Sequence, residues 1–276
     1  MGVVLFALGV GLWQGWTYYK HRQAQSLNNH GVTLAMAGEG RYAAQAFQDA
    51  LWWLPSLSQA HANLGQLAIG QGQLSNALDH YKNAIMHAEN VRLYHLALGK
   101  LHAQRHSRDN NDFESALRHF KKATELEHAP PLNGGAGLIE NDPVLVCGKA
   151  YNALGILYKD ARQLKPAGKA FTDGLRCNPR IPQLHQHLGE IALEEQQLAE
   201  AGQHLEHALT LFRAQTPEDW QAEVRVQYDL ARVARALKQY PQVCERLRDL
   251  QARSEGWWLH VPEKDLRNLE KEAQCA

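Results

Sequence analysis

Three arginines near the C-terminus are the side chains best suited to holding a partner. Arg225, Arg232 and Arg235 are spaced seven and three residues apart, so they share one face of a predicted helix. A guanidinium group offers paired N–H donors to a carboxylate, so this face is predicted to receive acidic groups of a partner. Asp229 lies within one turn of Arg225 and Arg232, which leaves local ion pairing on a solvated face as the alternative.

The fifteen histidines are the other residues with potential chemistry. His61, His95 and His185 each lie four residues before a glycine, so they recur in register. Such copies are one repeat apart, and we expect structural or surface roles for them, not ligation of one metal ion. His204 and His207 share a helix face and remain a possible ligand pair, which keeps a metal carrier or an enzyme as an alternative hypothesis.

Other motifs of catalysis are missing from the sequence. It has no nucleophile elbow, phosphate-binding glycine loop or HExxH motif, so we expect no catalytic residues, no cofactor and no enzymatic activity. The 29 basic and 29 acidic residues balance, which gives no general electrostatic case for nucleic-acid binding. The four cysteines are widely scattered, which argues against a zinc ribbon or a dense disulfide framework, and we expect plain thiols.

A short helical motif ending in glycine is repeated along the chain. Each glycine is followed at fixed offsets by a small, a large apolar and a second small residue, as in Ala43, Phe47 and Ala50 after Gly31. The small residues permit two antiparallel helices to pack closely, and the large residue is expected to fill the space between hairpins. One hairpin cannot bury its apolar face alone, so the hairpins must stack. The separations are 34, 34, 56 and 34 residues between Gly31, Gly65, Gly99, Gly155 and Gly189.

This pattern resembles the tetratricopeptide repeat family, whose unit of about 34 residues carries Leu-Gly, Tyr, Ala, Phe, Ala and Pro positions. The resemblance covers about residues 24–257 and implies an all-α fold, a right-handed α-solenoid of about six helical hairpins. It also implies that the inner, concave helices hold an extended or helical peptide. The residues that carry it are Leu64-Gly65, Leu98-Gly99, Leu154-Gly155, Leu188-Gly189 and Tyr158.

Two further places are candidates for partner contact. The wide spacing between Gly99 and Gly155 indicates an insert loop over residues 131–147, which is either partner-specific or simply tolerated. Trp52 and Trp53 are adjacent and cannot both face one core, so one of them is expected to contact lipid or a partner, with packing at the end of the stack as the alternative. The residues nominated here for partner binding are Asn133, Gly134, Gly135 and Trp52.

The N-terminal segment predicts a transmembrane helix over residues 1–22. Residues 2–19 carry no charge and would reach about 27 Å as a helix. Trp13, Trp16, Tyr18 and Tyr19 follow the apolar run, and Lys20 and Arg22 come next, an order typical of a helix leaving a membrane. A cleaved signal peptide and a buried helix of a soluble protein are the alternatives.

Small residues in this helix indicate a possible contact with another helix. Ala7, Gly11 and Gly15 are four residues apart and share one face, where they would let a second helix approach closely in lipid. The alternative is that glycine is simply common in membrane helices. The basic residues at the C-terminal side favour a cytoplasmic repeat domain.

The predicted organisation is therefore an anchor (1–22), repeat units 1–3 (23–130), an insert loop (131–147), repeat units 4–6 (148–257) and a capping helix (258–276). We expect a membrane-tethered protein-binding scaffold that assembles or stabilises a membrane protein complex. Its expected partners are other proteins, above all subunits of that complex, together with the membrane and not nucleic acid. The alternative is a component of envelope biogenesis or secretion whose repeats lie outside the cytoplasm, on the periplasmic side.

Overall fold

The chain is α-helical throughout the part that the structure describes. The computed structural model describes residues 2–105, 110–126, 142–215, 220–253 and 263–275, and no strand occurs among them. The helices in chain order are α1 (Gly2–Met36), α2 (Gly40–Trp53), α3 (Ser58–Gly70), α4 (Leu74–His87), α5 (Arg92–Arg105), α6 (Asn110–Glu125), α7 (Pro143–Asp160), α8 (Leu164–Cys177), α9 (Pro182–Glu194), α10 (Leu198–Gln215), α11 (Trp220–Ala236), α12 (Tyr240–Arg253) and α13 (Glu263–Ala273).

The contacts divide the chain into two compact units, unit 1 (Met1–Ala153) and unit 2 (Leu154–Ala276). In unit 1, α1 pairs with α2, α3 with α4 and α5 with α6, and each hairpin packs on the next through α2–α3 and α4–α5. In unit 2, α9 pairs with α10 and α11 with α12, while α8 packs on α9 and α13 packs on α11 and α12. Both units are therefore built from the consecutive helical hairpins that the sequence predicts.

The repeated glycine lies where the first helix of a hairpin meets a large side chain of the second. A Cβ atom at Gly155 would overlap the ring of Phe171, and each of the other four glycines has an equivalent neighbour. The large residue therefore packs against the glycine of its own hairpin, and it also belongs to an apolar cluster with the next hairpin, as Phe47 does with Leu64 of α3. Our expectation that it fills the space between hairpins holds, but it omitted the contact inside the hairpin. The separations from the position of the added Cβ are 2.6 Å for Gly31–Phe47, 2.8 Å for Gly65–Tyr81, 2.6 Å for Gly99–Phe120 and 2.6 Å for Gly189–Leu205.

The turn inside five of the hairpins also repeats. One residue with positive φ follows the first helix, and the residue after it donates its N–H to a carbonyl five positions back, as from Gln197 to Ala192 at 2.8 Å. This is the Schellman closure of a helix C-terminus. The position favours glycine because it lacks a Cβ atom, yet only some of the turns use it. The positive-φ residues at these turns are Gly38, Gly72, Arg162, Gln196 and Lys238.

The N-terminal helix differs from the predicted anchor. It runs without a break from Gly2 to Met36, so residues 2–22 of the predicted anchor and the first helix of the first hairpin form one helix. Within the described residues, no helix is long and apolar enough to cross a membrane. The apolar run ends at Trp13, before Gln14, and about twelve helical residues reach roughly 18 Å, short of the roughly 30 Å of a bilayer core. The single-span anchor is therefore not supported.

The C-terminal helix is held by a disulfide bond. Cys244 of α12 pairs with Cys275, which follows α13, across a sequence separation of 31 residues. Leu266 and Leu269 of α13 are buried with Leu250 of α12 in one apolar cluster. None of the four cysteines is free, so our expectation of plain thiols is wrong. Spacing alone did not reveal the bond, because it joins residues that only the packing of α13 brings together.

Candidate partner-binding groove

A groove of about 660 Å³ lies in unit 2, on the first helices of its hairpins. Four helices line it: α7 with Lys159, α9 with Glu190 and Glu194, α11, and α13 with Asp265 and Asn268. We refer to this surface as the charged groove. Its charged residues on α7, α9 and α11 include Lys159, Glu190, Arg225, Asp229, Arg232 and Arg235.

All three arginines nominated from the sequence line the charged groove. The Arg232 guanidinium donates to Asp229 Oδ1 at 2.8 Å, which is the local pairing considered as the alternative. Arg235 Nε lies 2.6 Å from Glu272 Oε2 on α13. Arg225 Nε lies 3.9 Å from Glu190 Oε1, and its side chain is 66% exposed. Arg225 is therefore the most weakly paired of the three and the best placed to meet an incoming carboxylate.

Glu190 is the centre of a buried polar cluster beneath these arginines. Lys159 Nζ lies 2.5 Å from Glu190 Oε2, His187 Nδ1 lies 3.1 Å from the same oxygen, and Gln186 donates to Oε1 at 3.0 Å. Burial by itself would raise the pKa of Glu190. Hydrogen bonds and charge from His187 and Lys159 outweigh it and lower the pKa to about 2. Glu190 is therefore a fixed negative charge that orients the cations around it.

Asp229 behaves in the opposite way, although it lies in the same groove. Burial, together with the negative charge of Glu190, raises the pKa of Asp229 to about 6 against the opposing effect of Arg232. Its side chain is almost completely buried. A carboxylate that holds its proton more readily cancels less of the arginine charge around it. At neutral pH Asp229 is still mostly ionised, so the charged groove contains both cations and carboxylates, and many of them pair with one another.

The sequence did not identify the residues that complete the groove. Lys159 comes four residues after Gly155, whereas Glu190 comes one residue after Gly189, so they share no repeat register. Asp265 accepts a hydrogen bond from the Tyr228 hydroxyl at 3.4 Å, across the packing of α13 on α11. These contacts depend on how neighbouring hairpins stack, and no signal in the sequence could have located them.

The other nominated residues lie elsewhere. Trp52 is in unit 1 and is 76% exposed. Gly15 lies on α1, where an added Cβ would meet no atom within 4 Å among the described residues. Ala7 and Gly11 lie in the part of α1 whose side-chain surroundings are outside the description. Asn133, Gly134 and Gly135 also lie outside the described residues.

The recurring histidines come together in groups of three. In each group, one helix of a hairpin supplies two rings and its partner helix supplies the third. Ring centroids in the group of His185 lie 5.4 Å apart for His185–His204 and 4.3 Å apart for His185–His207. The groups are His61, His80 and His87; His95, His102 and His119; and His185, His204 and His207.

Hydrogen bonds already use ring nitrogens in the group of His95, whereas His61 Nδ1 and His80 Nδ1 of another group are buried without a hydrogen-bond partner among the described residues. His95 Nε2 donates to the Glu89 carbonyl at 2.8 Å, so Nδ1 of the neutral ring is an acceptor. His119 Nδ1 must then donate to His95 Nδ1, at 3.1 Å. Across the described residues, no group of three or more His, Cys, Asp or Glu side chains has an arrangement that could hold a metal ion. Burial lowers the pKa of both His95 and His119, which favours the neutral form of these two rings.

Comparison with known proteins shows the fold. Neither family models nor curated protein sequences give a match. Among solved structures, the chain is similar to PilF of Pseudomonas aeruginosa, with a TM-score of 0.69 and 15% identity over 92% of this chain and 99% of that one. PilW, a widely conserved type IV pilus biogenesis factor, gives 0.65 and 15% over 89% and 97%. YrrB, a TPR protein with an unusual peptide-binding site, gives 0.55 and 16% over 83% and 99%. The chain therefore has the tetratricopeptide fold.

Proposed function

We propose that this protein is a protein-binding scaffold that holds an acidic segment of a partner in the charged groove, and that it has no enzymatic activity. The observation that carries the proposal is that three arginines of α11 line the groove, with Arg225 largely exposed. Arginine can bind a carboxylate through two parallel N–H donors, which gives both affinity and orientation. Glu190 and Asp229 hold the arginines in place while a partner arrives. YrrB, which shares the fold, is described as having an unusual peptide-binding site, which supports a search for peptide ligands.

The test compares groove variants with a matched surface variant. Arg225→Glu and Arg232→Glu are expected to weaken binding of acidic peptides on an array by at least roughly tenfold, since each reverses a charge in the groove. Arg176→Glu is the control, because Arg176 is an exposed arginine of α8 in the same unit and outside the groove. Equal loss in the control, or tight binding of lysine-rich peptides by the wild type, would contradict the proposal.

We further propose that α1 attaches the scaffold to a membrane, so that its clients are subunits of a membrane complex. The support is in the sequence: the segment of α1 before Gln14 is apolar, and Lys20 and Arg22 follow the aromatic residues. Attachment raises the effective concentration of partners in the same membrane. Separation of a cell lysate into membrane and soluble fractions at neutral pH tests it, and recovery of the full chain only in the soluble fraction would refute it.

A second candidate function is a component of envelope biogenesis or secretion with repeats outside the cytoplasm. The Cys244–Cys275 disulfide favours it, because disulfide bonds persist in oxidising compartments and are rare in the cytosol. The similarity to PilW, a pilus biogenesis factor, points the same way. A reporter fused after Ala276 that is active only outside the cytoplasm would support this candidate. Activity only inside would support the cytoplasmic placement predicted from the basic residues.

A further inference from the structure

An exposed aromatic patch lies in unit 1, where α1 meets the end of α2. Trp16 stacks on Tyr19 with ring centroids 5.9 Å apart, and Trp53 of α2 packs edge-on against both, at 6.4 and 5.7 Å. Trp52 lies 5.0 Å from Trp53. We call these four residues the aromatic patch. Two helices build it, so it is already formed when the first hairpin folds.

Most side chains of the aromatic patch are exposed to solvent, and this exposure requires a physical explanation. Trp52 is 76% exposed and Trp16 is 52% exposed. Trp13 and Tyr18 on the same turns of α1 are also exposed. Contiguous exposed aromatic surface of this kind marks a place of contact, because leaving it in water costs free energy. Tryptophan and tyrosine combine an apolar ring with a polar group, which suits them to the boundary between lipid and water.

The charges that α1 places beside the patch fit a negatively charged surface, whereas α2 carries Asp49 one turn before Trp52 and Trp53. The sequence has no acidic residue before Glu39, whereas Lys20 and Arg22 lie beside the patch on α1. Lys20 Nζ lies 5.3 Å from the centroid of the Trp16 ring, so a cation is held over the aromatic surface. The apolar segment of the sequence directly precedes the patch in the same helix. Aromatic rings, cations and an adjoining apolar segment together match the headgroup layer of an anionic bilayer.

We infer that the aromatic patch is a membrane-contact surface that lies in the headgroup layer of an anionic bilayer, with Trp52 and Trp53 of the first repeat inserted beside the aromatic residues of α1. This inference rests on the proposed membrane attachment and adds to it. The first hairpin, and not the apolar segment alone, makes the contact. The hairpin therefore has a fixed orientation on the membrane, because rings from two helices must reach the same plane.

The experiment measures partition of the full chain onto vesicles by flotation. Vesicles of phosphatidylcholine with phosphatidylglycerol are compared with vesicles of phosphatidylcholine alone. Trp52→Ala is expected to weaken partition onto the anionic vesicles by roughly tenfold, because a large ring leaves the interface. Tyr42→Ala is the matched control, since Tyr42 is an aromatic residue of α2 that is also largely exposed and lies near the other end of that helix. It is expected to change partition less than about twofold.

A second measurement reports the depth of the ring directly. Tryptophan fluorescence of the wild type and of Trp52→Phe is compared on vesicles with lipids brominated near the headgroup or at the chain end. Trp52 is expected to be quenched only by bromine near the headgroup.

Two results would overturn the inference in different ways. If the full chain does not bind anionic vesicles at all, both the membrane attachment and the patch assignment fail. If it binds but Trp52→Ala partitions like the wild type and Trp52 is not quenched, attachment stands and the patch contacts something else, such as a protein. Neither result bears on peptide binding in the charged groove of unit 2.

Discussion

The closest approach in the repeats lies at Gly155, where the ring of Phe171 occupies the space that a Cβ atom would need. Gly155→Ala is therefore expected to lower the free energy of unfolding by about 2–3 kcal/mol, because the ring or the helix must move. Urea unfolding followed by circular dichroism measures the change.

Gly168 provides the opposite case on α8, the neighbouring helix. An added Cβ there meets no atom within 4 Å among the described residues. Gly168→Ala should stabilise the protein by about 0.5–1 kcal/mol, since alanine favours the helix and restricts the unfolded chain. Two glycine-to-alanine changes with opposite signs separate close packing from helix propensity, and equal signs would contradict the packing explanation.

Residue types at fixed spacing were enough to predict the hairpins, but the contact of each glycine with the large residue of its own hairpin was found only in the structure. The motif around Gly65 and Tyr81 lies within one hairpin, so a single repeat contains all the information. The groove was predictable only in part. The face of Arg225, Arg232 and Arg235 follows from helical period, but the contact with Glu190 depends on how separate hairpins stack. The sequence of a single repeat contains no information about how neighbouring hairpins stack.

At the scale of the elements, the turns inside the hairpins make unequal use of glycine. Gln196 has a φ of 62°, a conformation that costs a residue with a Cβ atom about 1 kcal/mol or more. Gln196→Gly is expected to raise the free energy of unfolding by about 0.5 kcal/mol, after the greater entropy of glycine in the unfolded chain is subtracted. Gly72→Gln at the equivalent turn should have the reverse effect. A loss of stability in Gln196→Gly, measured by urea unfolding, would show that the side chain itself is needed.

The histidine groups predict that acid weakens the hairpins. Burial lowers the pKa of His185 to about 4, with further lowering from the charges of His207 and His204. Between that value and the unfolded value near 6.5, the unfolded chain binds more protons, so stability falls as the pH falls through this window. From about pH 7 to about pH 5, the loss due to His185 is on the order of 1 kcal/mol, discounted for partial exposure.

Unfolding at a series of pH values tests this assignment. His185→Gln is expected to reduce the slope of stability against pH, because it removes one of the three rings. His30→Gln is the control, since His30 is exposed on α1. Asp229 contributes with the opposite sign: its raised pKa makes the native state bind the extra proton, so it gains stability as the pH falls through 6. An unchanged slope in His185→Gln would exclude the histidine group as the cause.

At the scale of the whole molecule, two packing units were not evident in detail from the sequence, although the wide glycine spacing indicated an offset. The residues predicted as an anchor and those of the first repeat proved to form one continuous helix, α1. A boundary between two predicted segments of the sequence does not require a break in the helix. The C-terminal helix is present as α13, and its disulfide bond was not expected. Both differences arise from long-range packing or from chain continuity, which residue patterns within one repeat do not contain.

Removing the disulfide is expected to destabilise unit 2. In the chain-entropy model, closing 31 residues by the Cys244–Cys275 bond is worth about 3–4 kcal/mol. The variant with both Cys244→Ala and Cys275→Ala should therefore unfold at lower urea concentration, and acidic peptides should bind it more weakly because α13 lines part of the charged groove. Thermal or urea unfolding of unit 2 without any shift would contradict the expected role of the bond.

The same bond decides how the molecule carries mechanical load. A pull applied at the C-terminus enters the fold at Cys244, because the covalent link bypasses the 31 residues up to Cys275. Those residues cannot lengthen under tension while the bond is intact. In an optical trap, the fully extended wild-type chain should be shorter than the double alanine variant by about 110 Å, at about 3.5 Å per residue. The last helix is thereby shielded from force that would peel an ordinary terminal helix away first.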